Sequence, residues 1–149
     1  MTDDVPAYER RNNNSYIENE SFAIAEVFEL VKKGKVEIVE EKPYIVNPLS
    51  VAVQRNKSRL ILDCSYLNQF VDVPSFKYED VKEALNFFKK GGFMIKWDLK
   101  NGYHQIKISK RFRKYLGFKI CHEGKTIYGQ YKVGPFGLRD LPYFFTKIF

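Results

Sequence analysis

The stretch Phe93-Met94-Ile95-Lys96-Trp97-Asp98-Leu99-Lys100-Asn101-Gly102-Tyr103-His104-Gln105-Ile106 decides how the chain is read. Its opening predicts a strand in which alternation puts Phe93, Ile95 and Trp97 on one face and Met94, Lys96 and Asp98 on the other. Asp98 closes that strand just ahead of a glycine-containing turn, Lys100-Asn101-Gly102. A carboxylate so placed can be aimed into a cleft, where it would hold a hard cation through oxygen. The competing reading is an aspartate spent on capping the turn, and for an arbitrary Asp that reading is the commoner one.

Working outward, Glu79 to Lys90 predicts a helix, with Val81, Ala84, Leu85 and Phe88 as an apolar stripe and Gly91-Gly92 as its stop. Further upstream, Val51-Ala52-Val53 and Arg59-Leu60-Ile61-Leu62-Asp63 flank the polar, basic stretch Gln54 to Ser58, the pattern of a β-hairpin with a positive tip. Pro43 and Pro48 force an extended path before it. Ahead of them, Phe22, Ala25, Val27, Phe28, Leu30 and Val31 are spaced for a helix that Ser21 can cap and Gly34 follows, and Val36 to Val39 predicts a short strand. Downstream, strands are expected at 104–109, 114–120 and 126–133, and a last helix near Asp140-Leu141-Pro142. Helices and strands mix irregularly, which predicts an α+β fold. Residues 1–20 are polar and acidic, include Asn12-Asn13-Asn14, and are expected to be a disordered lead-in.

The motif around Asp98 resembles the first catalytic block of retrotransposon reverse transcriptases, which reads as an apolar strand followed by Asp-Leu-Lys-x-Gly-Tyr-His-x-Ile. Asn47-Pro48-Leu49-Ser50-Val51 and Arg59-Leu60-Ile61-Leu62-Asp63-Cys64-Ser65-Tyr66-Leu67-Asn68 resemble the fingers hairpin and the Arg-x-x-x-Asp-x-x-x-Leu-Asn signature of that family. Lys114 to Phe118 and Gly134 to Thr146 resemble its next two blocks. Phe76-Lys77-Tyr78-Glu79-Asp80 with Tyr143-Phe144-Phe145-Thr146-Lys147 looks most like the DIRS-like, tyrosine-recombinase retroelements. The resemblance runs from about Ser21 to the last residue. Several spaced motifs in order are a strong signal where any one would be weak.

The resemblance implies a right-hand polymerase: fingers from about 21–90 and 107–140, and an incomplete palm from about 91–106 and 141–149. It implies an RNA-directed DNA polymerase that uses deoxynucleoside triphosphates, an RNA or DNA template-primer and two Mg²⁺ ions. Asp98 would bridge both metals and the Leu99 carbonyl would add a ligand. Arg59 would grip the triphosphate, with Lys57 or Arg55 of a hairpin shorter than usual as the second cation; Lys57 otherwise reads as a solvated turn lysine. Tyr103 would exclude a 2′-hydroxyl from beneath the sugar, against its plain reading as a core tyrosine. Gly137 would let nucleotide and template pass close to the backbone, and Pro135, Phe136 and Pro142 would shape that wall or simply stiffen the loop. The family's Tyr-x-Asp-Asp turn, and RNase H and recombinase segments, would lie downstream. The chain is therefore expected to be a piece that is inactive alone. The alternative is a catalytically dead relic that binds nucleic acid or protein.

Composition agrees with a globular, polyanion-binding chain. Hydrophobic residues make up 44% of the 149 residues, and the net charge is +7. Residues 1–30 carry seven acidic against two basic side chains, so the rest of the chain holds a net +12. A basic body suits a phosphate-rich partner, though it also suits simple solubility. Cys64 and Cys121 make no disulfide framework, and an intracellular location, cytoplasmic or nuclear, with both thiols in or near the core is expected. No secretory signal or membrane-spanning run is present in the sequence. Gly124-Lys125-Thr126 ends like a phosphate-binding loop, but Lys119 stands where its first glycine belongs, so a hairpin turn is expected there. Cys121, His122 and His104 lack zinc-ligand spacing.

Overall fold

Ala23, Val27 and Leu30 recur at helical spacing, and their burial fixes the helix Glu20–Lys32 (α2) against the strand Val36–Val39 (β2) that follows. Gly34 supplies the left-handed step (φ 72°) that ends the helix and turns the chain into β2. These elements belong to a computed structural model that describes residues 5–71, 82, 85, 86, 89–93, 95, 102–139, 141, 142 and 147.

Among the described residues, five strands form one mixed sheet: Tyr8–Glu9 (β1), Ile45–Val46 (β3), Gly117–His122 (β6), Lys125–Tyr131 (β7) and β2, in that spatial order. β1 and β3 pair in parallel, as do β3 and β6, while β6–β7 and β7–β2 are antiparallel. Leu49–Gln54 (β4) and Lys57–Leu62 (β5) form a separate antiparallel hairpin. Short helices Asn14–Glu18 (α1) and Ser65–Asn68 (α3), and two 3-10 segments, Gly102–Gln105 (η1) and Lys110–Tyr115 (η2), complete the described elements. One apolar cluster joins Val27 and Leu30 of α2 to Phe118 and Ile120 of β6, Leu49 and Leu62 of the hairpin, and Tyr131 of β7.

The sheet is fastened to the hairpin through Asn47, which has no exposed surface. Its Nδ2 donates to the carbonyls of Tyr115 (3.0 Å) and Gly117 (3.1 Å), and its backbone N–H donates to Gly117 O at 2.8 Å. Opposite it, β3 and β6 meet at the single pair Val46–Gly117. A Cβ on Gly117 would lie 2.3 Å from Pro43 Cβ and 2.5 Å from the Ile45 carbonyl, so only glycine lets the two strands approach.

Several expectations are corrected. The stretch 5–19 is not a disordered lead-in: Val5 and Tyr16 are buried, Tyr8–Glu9 pairs with β3, and the side chains of Asn12 and Asn13 are engaged in hydrogen bonds. Asn12 donates to Lys119 O and accepts from Leu49 N–H, and Asn13 donates to Ser50 Oγ and Asp63 Oδ2. Asn19, two residues earlier than expected, occupies the N-cap position of α2, and Ser21 is inside the helix. The expected strand 104–109 is a 3-10 turn followed by one bridge, Lys107 to Val133, and Lys114 and Tyr115 belong to η2 ahead of β6. Cys64 is buried, but Cys121 is exposed because β6 alternation turns it outward. The hairpin, β2, the β7 strand and the turn at Gly124 stand as expected, with Glu123 and Gly124 both at positive φ. The expected strand 93–98 and the expected helix over 79–90 lie largely outside the described residues; of them, Phe93, Ile95 and Leu85 are exposed.

Two outcomes follow for stability. Gly117→Ala should lower unfolding free energy by about 3 kcal/mol, because the facing Ile45 carbonyl is backbone and cannot rotate away; an unchanged urea midpoint would contradict this. The His104 ring in η1 packs on Phe136, and burial, followed by Lys35 and Lys33, pushes its pKa down to about 4. The unfolded chain takes up that proton near pH 6.5, so His104 supports the fold above that pH and loses its contribution as pH falls toward 4. His104→Phe should flatten the decline in urea midpoint between pH 7 and about 4.5, and an identical decline in both proteins would contradict the assignment.

Candidate functional site

The hairpin is two-faced because its strands alternate. Leu49, Val51, Leu60 and Leu62 point into the core, all 5% exposed or less. The cross-strand pairs Ala52–Arg59 and Gln54–Lys57, with Ile61, therefore share the opposite face. Arg55, at positive φ (52°), and Asn56 make the two-residue turn at the tip. This outer face and Phe136 line an open groove of about 940 Å³ that also includes Gln54, Arg55, Lys57 and Arg59. Groove volume of this size suits a nucleotide-sized ligand. Among the described residues Arg55, Lys57 and Arg59 have no acidic partner, so their charge is offered to the groove.

Phe136 reaches the hairpin because the loop Pro135–Arg139 is stitched to it. Leu62 N–H donates to Phe136 O at 2.9 Å. Gly137 (φ 117°) brings its Cα so close that an added Cβ would lie 2.0 Å from Leu62 O. Asn68 at the end of α3 fixes the loop from the other side: its Nδ2 donates to Gly137 O (3.0 Å) and its Oδ1 accepts from Arg139 N–H (2.8 Å). Arg59 then lies over the Phe136 ring, 5.7 Å from its centroid, and Tyr103 packs against the same ring at 5.6 Å. Gly134 permits this approach, since a Cβ there would come within 2.7 Å of Tyr103 O.

Arg59, Phe136 and Tyr103 are therefore brought together, with Lys57 and Arg55 farther along the groove. Pro135 is fully buried and backs the wall instead of facing it, and Pro142 is half-buried beside Leu141 in helical conformation. Asp98 and Leu99 lie outside the described residues. Among the described residues no group of three His, Cys, Asp or Glu converges as a metal site. No described helix is long and apolar enough to cross a membrane.

Two contributors carried no role in the sequence reading. Asn68 was visible only as part of a signature, and its double hydrogen bond to the Phe136 loop gives it one. Asp63, at the end of the hairpin, accepts from the Ser65 hydroxyl and N–H and from Asn13 Nδ2. Burial pushes its pKa up, but these hydrogen bonds, with Arg10 nearby, outweigh it and hold the carboxyl below the usual carboxylate range. Asp63 is thus committed to fastening α3 and the N-terminal segment, which positions Asn68.

The chain is 30% identical over 127 residues to the putative enzymatic polyprotein of Cassava vein mosaic virus, which covers 80% of this chain and 19% of that protein. It is 33% identical over 104 residues to the genome polyprotein of Petunia vein clearing virus (70% and 4%) and 27% identical over 94 residues to the enzymatic polyprotein of Figwort mosaic virus (63% and 14%). The chain spans less than a fifth of the length of each of these relatives. No family model matches it. Placed beside the groove geometry, these likenesses support a segment of a retroelement-type polyprotein.

Proposed function

We propose that the chain is the nucleotide-gripping part of a reverse transcriptase, an RNA-directed DNA polymerase, from a retroelement. The observation that supports it most is Arg59 held over Phe136 in a groove whose other cations, Lys57 and Arg55, have no acidic partner among the described residues, with Tyr103 packed against the Phe136 ring. A guanidinium held over an aromatic ring keeps its fork free for phosphate oxygens and loses little freedom on binding. In this reading Arg59 binds the triphosphate, Lys57 or Arg55 adds charge at its far end, and the Tyr103–Phe136 pair lies under the sugar and rejects a 2′-hydroxyl. The 3′-hydroxyl of a primer would attack the α-phosphate and expel pyrophosphate.

Asp98 and the Leu99 carbonyl are proposed as this chain's ligands for two Mg²⁺ ions, which when bound neutralise charge on the phosphates. The hairpin and the sheet would be fingers, and the Asp98 strand the start of the palm. Template-primer, deoxynucleoside triphosphates and downstream RNase H and recombinase segments are the proposed partners, in the cytoplasm or nucleus. The finer placement among DIRS-like elements rests on Phe76–Asp80 and Tyr143–Lys147. The relic reading differs in one respect: it expects nucleic-acid binding with no incorporation.

Primer extension by the full-length gene product with Mg²⁺ tests the proposal. Asp98→Asn should abolish incorporation, and Arg59→Ala should raise KM for the deoxynucleotide about tenfold, the loss of one charge-assisted contact. Absence of incorporation, or incorporation indifferent to Asp98→Asn, would overturn it.

A further inference from the structure

Away from the groove, η2 presents a second surface whose chemistry differs from it. The 3-10 helix repeats every three residues, so its side chains fall into three ridges. Lys110 and Arg113 share one, Arg111 and Lys114 the next, and Phe112 and Tyr115 the third. Arg113 is turned inward: its Nε donates to Ile108 O (3.2 Å) and its guanidinium pairs with Glu37 at 3.4 Å, which pins η2 to the sheet. Lys110, Arg111 and Lys114 are exposed and have no acidic partner among the described residues.

Aromatic rings are interleaved with those cations. Arg111 lies 4.6 Å from the Phe112 ring centroid, and Lys114 lies 5.2 Å from that of Tyr115 and 5.3 Å from that of Tyr44. Tyr44 is held rigid by donating its hydroxyl to Val5 O (2.6 Å) and meets Tyr115 edge-on at 5.7 Å. Tyr44 and Phe112 are 41% and 36% exposed, large for rings in a folded chain. None of these residues lines the groove at Arg59.

We infer that Tyr44, Phe112 and Tyr115 with Lys110, Arg111 and Lys114 form a binding surface for single-stranded nucleic acid. The charge complementarity is to phosphate, and rigid, partly exposed rings between the cations offer unpaired bases a face to stack on. An acidic protein would answer the charge and leave the rings without partners. A duplex has its base faces covered and would gain only the phosphate contacts. This surface does not depend on the nucleotide reading of the groove, since it would act with or without polymerisation.

Fluorescence anisotropy of the 149-residue chain with a labelled oligo(dT), and with a duplex of equal length, tests it across a salt series. The chain should bind the single strand more tightly than the duplex. Arg111→Ser with Lys114→Ser should weaken single-strand binding about tenfold or more and lower the salt slope by about 1.4, from two lost cations. Phe112→Ala should weaken it about fivefold or more with the slope unchanged, as loss of stacking requires. The three changed residues are exposed or at the exposed limit, and circular dichroism matching the parent confirms that the fold persists. No binding, equal affinity for duplex and single strand, displacement by poly-glutamate at equal charge, or an affinity and slope unmoved by the double variant would each overturn the inference.

Discussion

The buried Asn47 amide is the constraint on which the described architecture rests. It sits between two prolines, where neighbouring backbone cannot be helical, and it closes the parallel junction of β3 and β6 with hydrogen bonds to Tyr115 and Gly117. A parallel pair one residue long has almost no ladder of its own. The side chain supplies what the backbone lacks, and Gly117 supplies the space. Because Leu49 begins the hairpin directly after this junction, the same clamp sets where the hairpin emerges from the sheet. Nδ2 is paired twice while Oδ1 is buried without a hydrogen-bond partner among the described residues, so the amino half of the amide carries the clamp.

From that anchor the candidate site follows by alternation. One face of β4–β5 is spent on the core, which forces Arg59 and Lys57 outward together. The Phe136 loop is then held against the hairpin by a main-chain hydrogen bond, a glycine that tolerates the approach, and the two-sided grip of Asn68. The result is a cation over a ring with a second ring beside it, assembled from four separate stretches of chain. Asp63 contributes indirectly, through hydrogen bonds that fasten α3 and the N-terminal segment.

Periodic elements were legible in the sequence. α2 and β2 follow their apolar spacing, the hairpin follows from alternation on either side of a polar turn, and Gly34 and Gly124 mark the chain reversals that their positive φ values require. What was not legible has no period. β1 is two residues long and parallel, and Asn12 and Asn13 resemble loop filler until their side chains are seen bridging β4, β6 and Asp63. The region 104–109 alternates like a strand yet forms a 3-10 turn and a single bridge, since pairing depends on what β7 offers and not on the local pattern. Arg59, Phe136 and Tyr103 were named from motif resemblance, and only the tertiary structure places Arg59 over Phe136 in the groove and packs Tyr103 against the same ring. The sequence contained the ridge pattern of η2 as well, but only the 3-10 geometry turns Lys110 to Tyr115 from a basic run into aligned cations and rings.

Photocrosslinking with a base-azido deoxynucleoside triphosphate, mapped by peptide mass spectrometry, tests most directly whether the hairpin groove receives a nucleotide. Label is expected on peptides containing Tyr103 and Phe136, displaced by unlabelled deoxynucleoside triphosphate and not by the free nucleoside. Label confined to other surfaces, or label on those peptides that the triphosphate fails to displace, would contradict it.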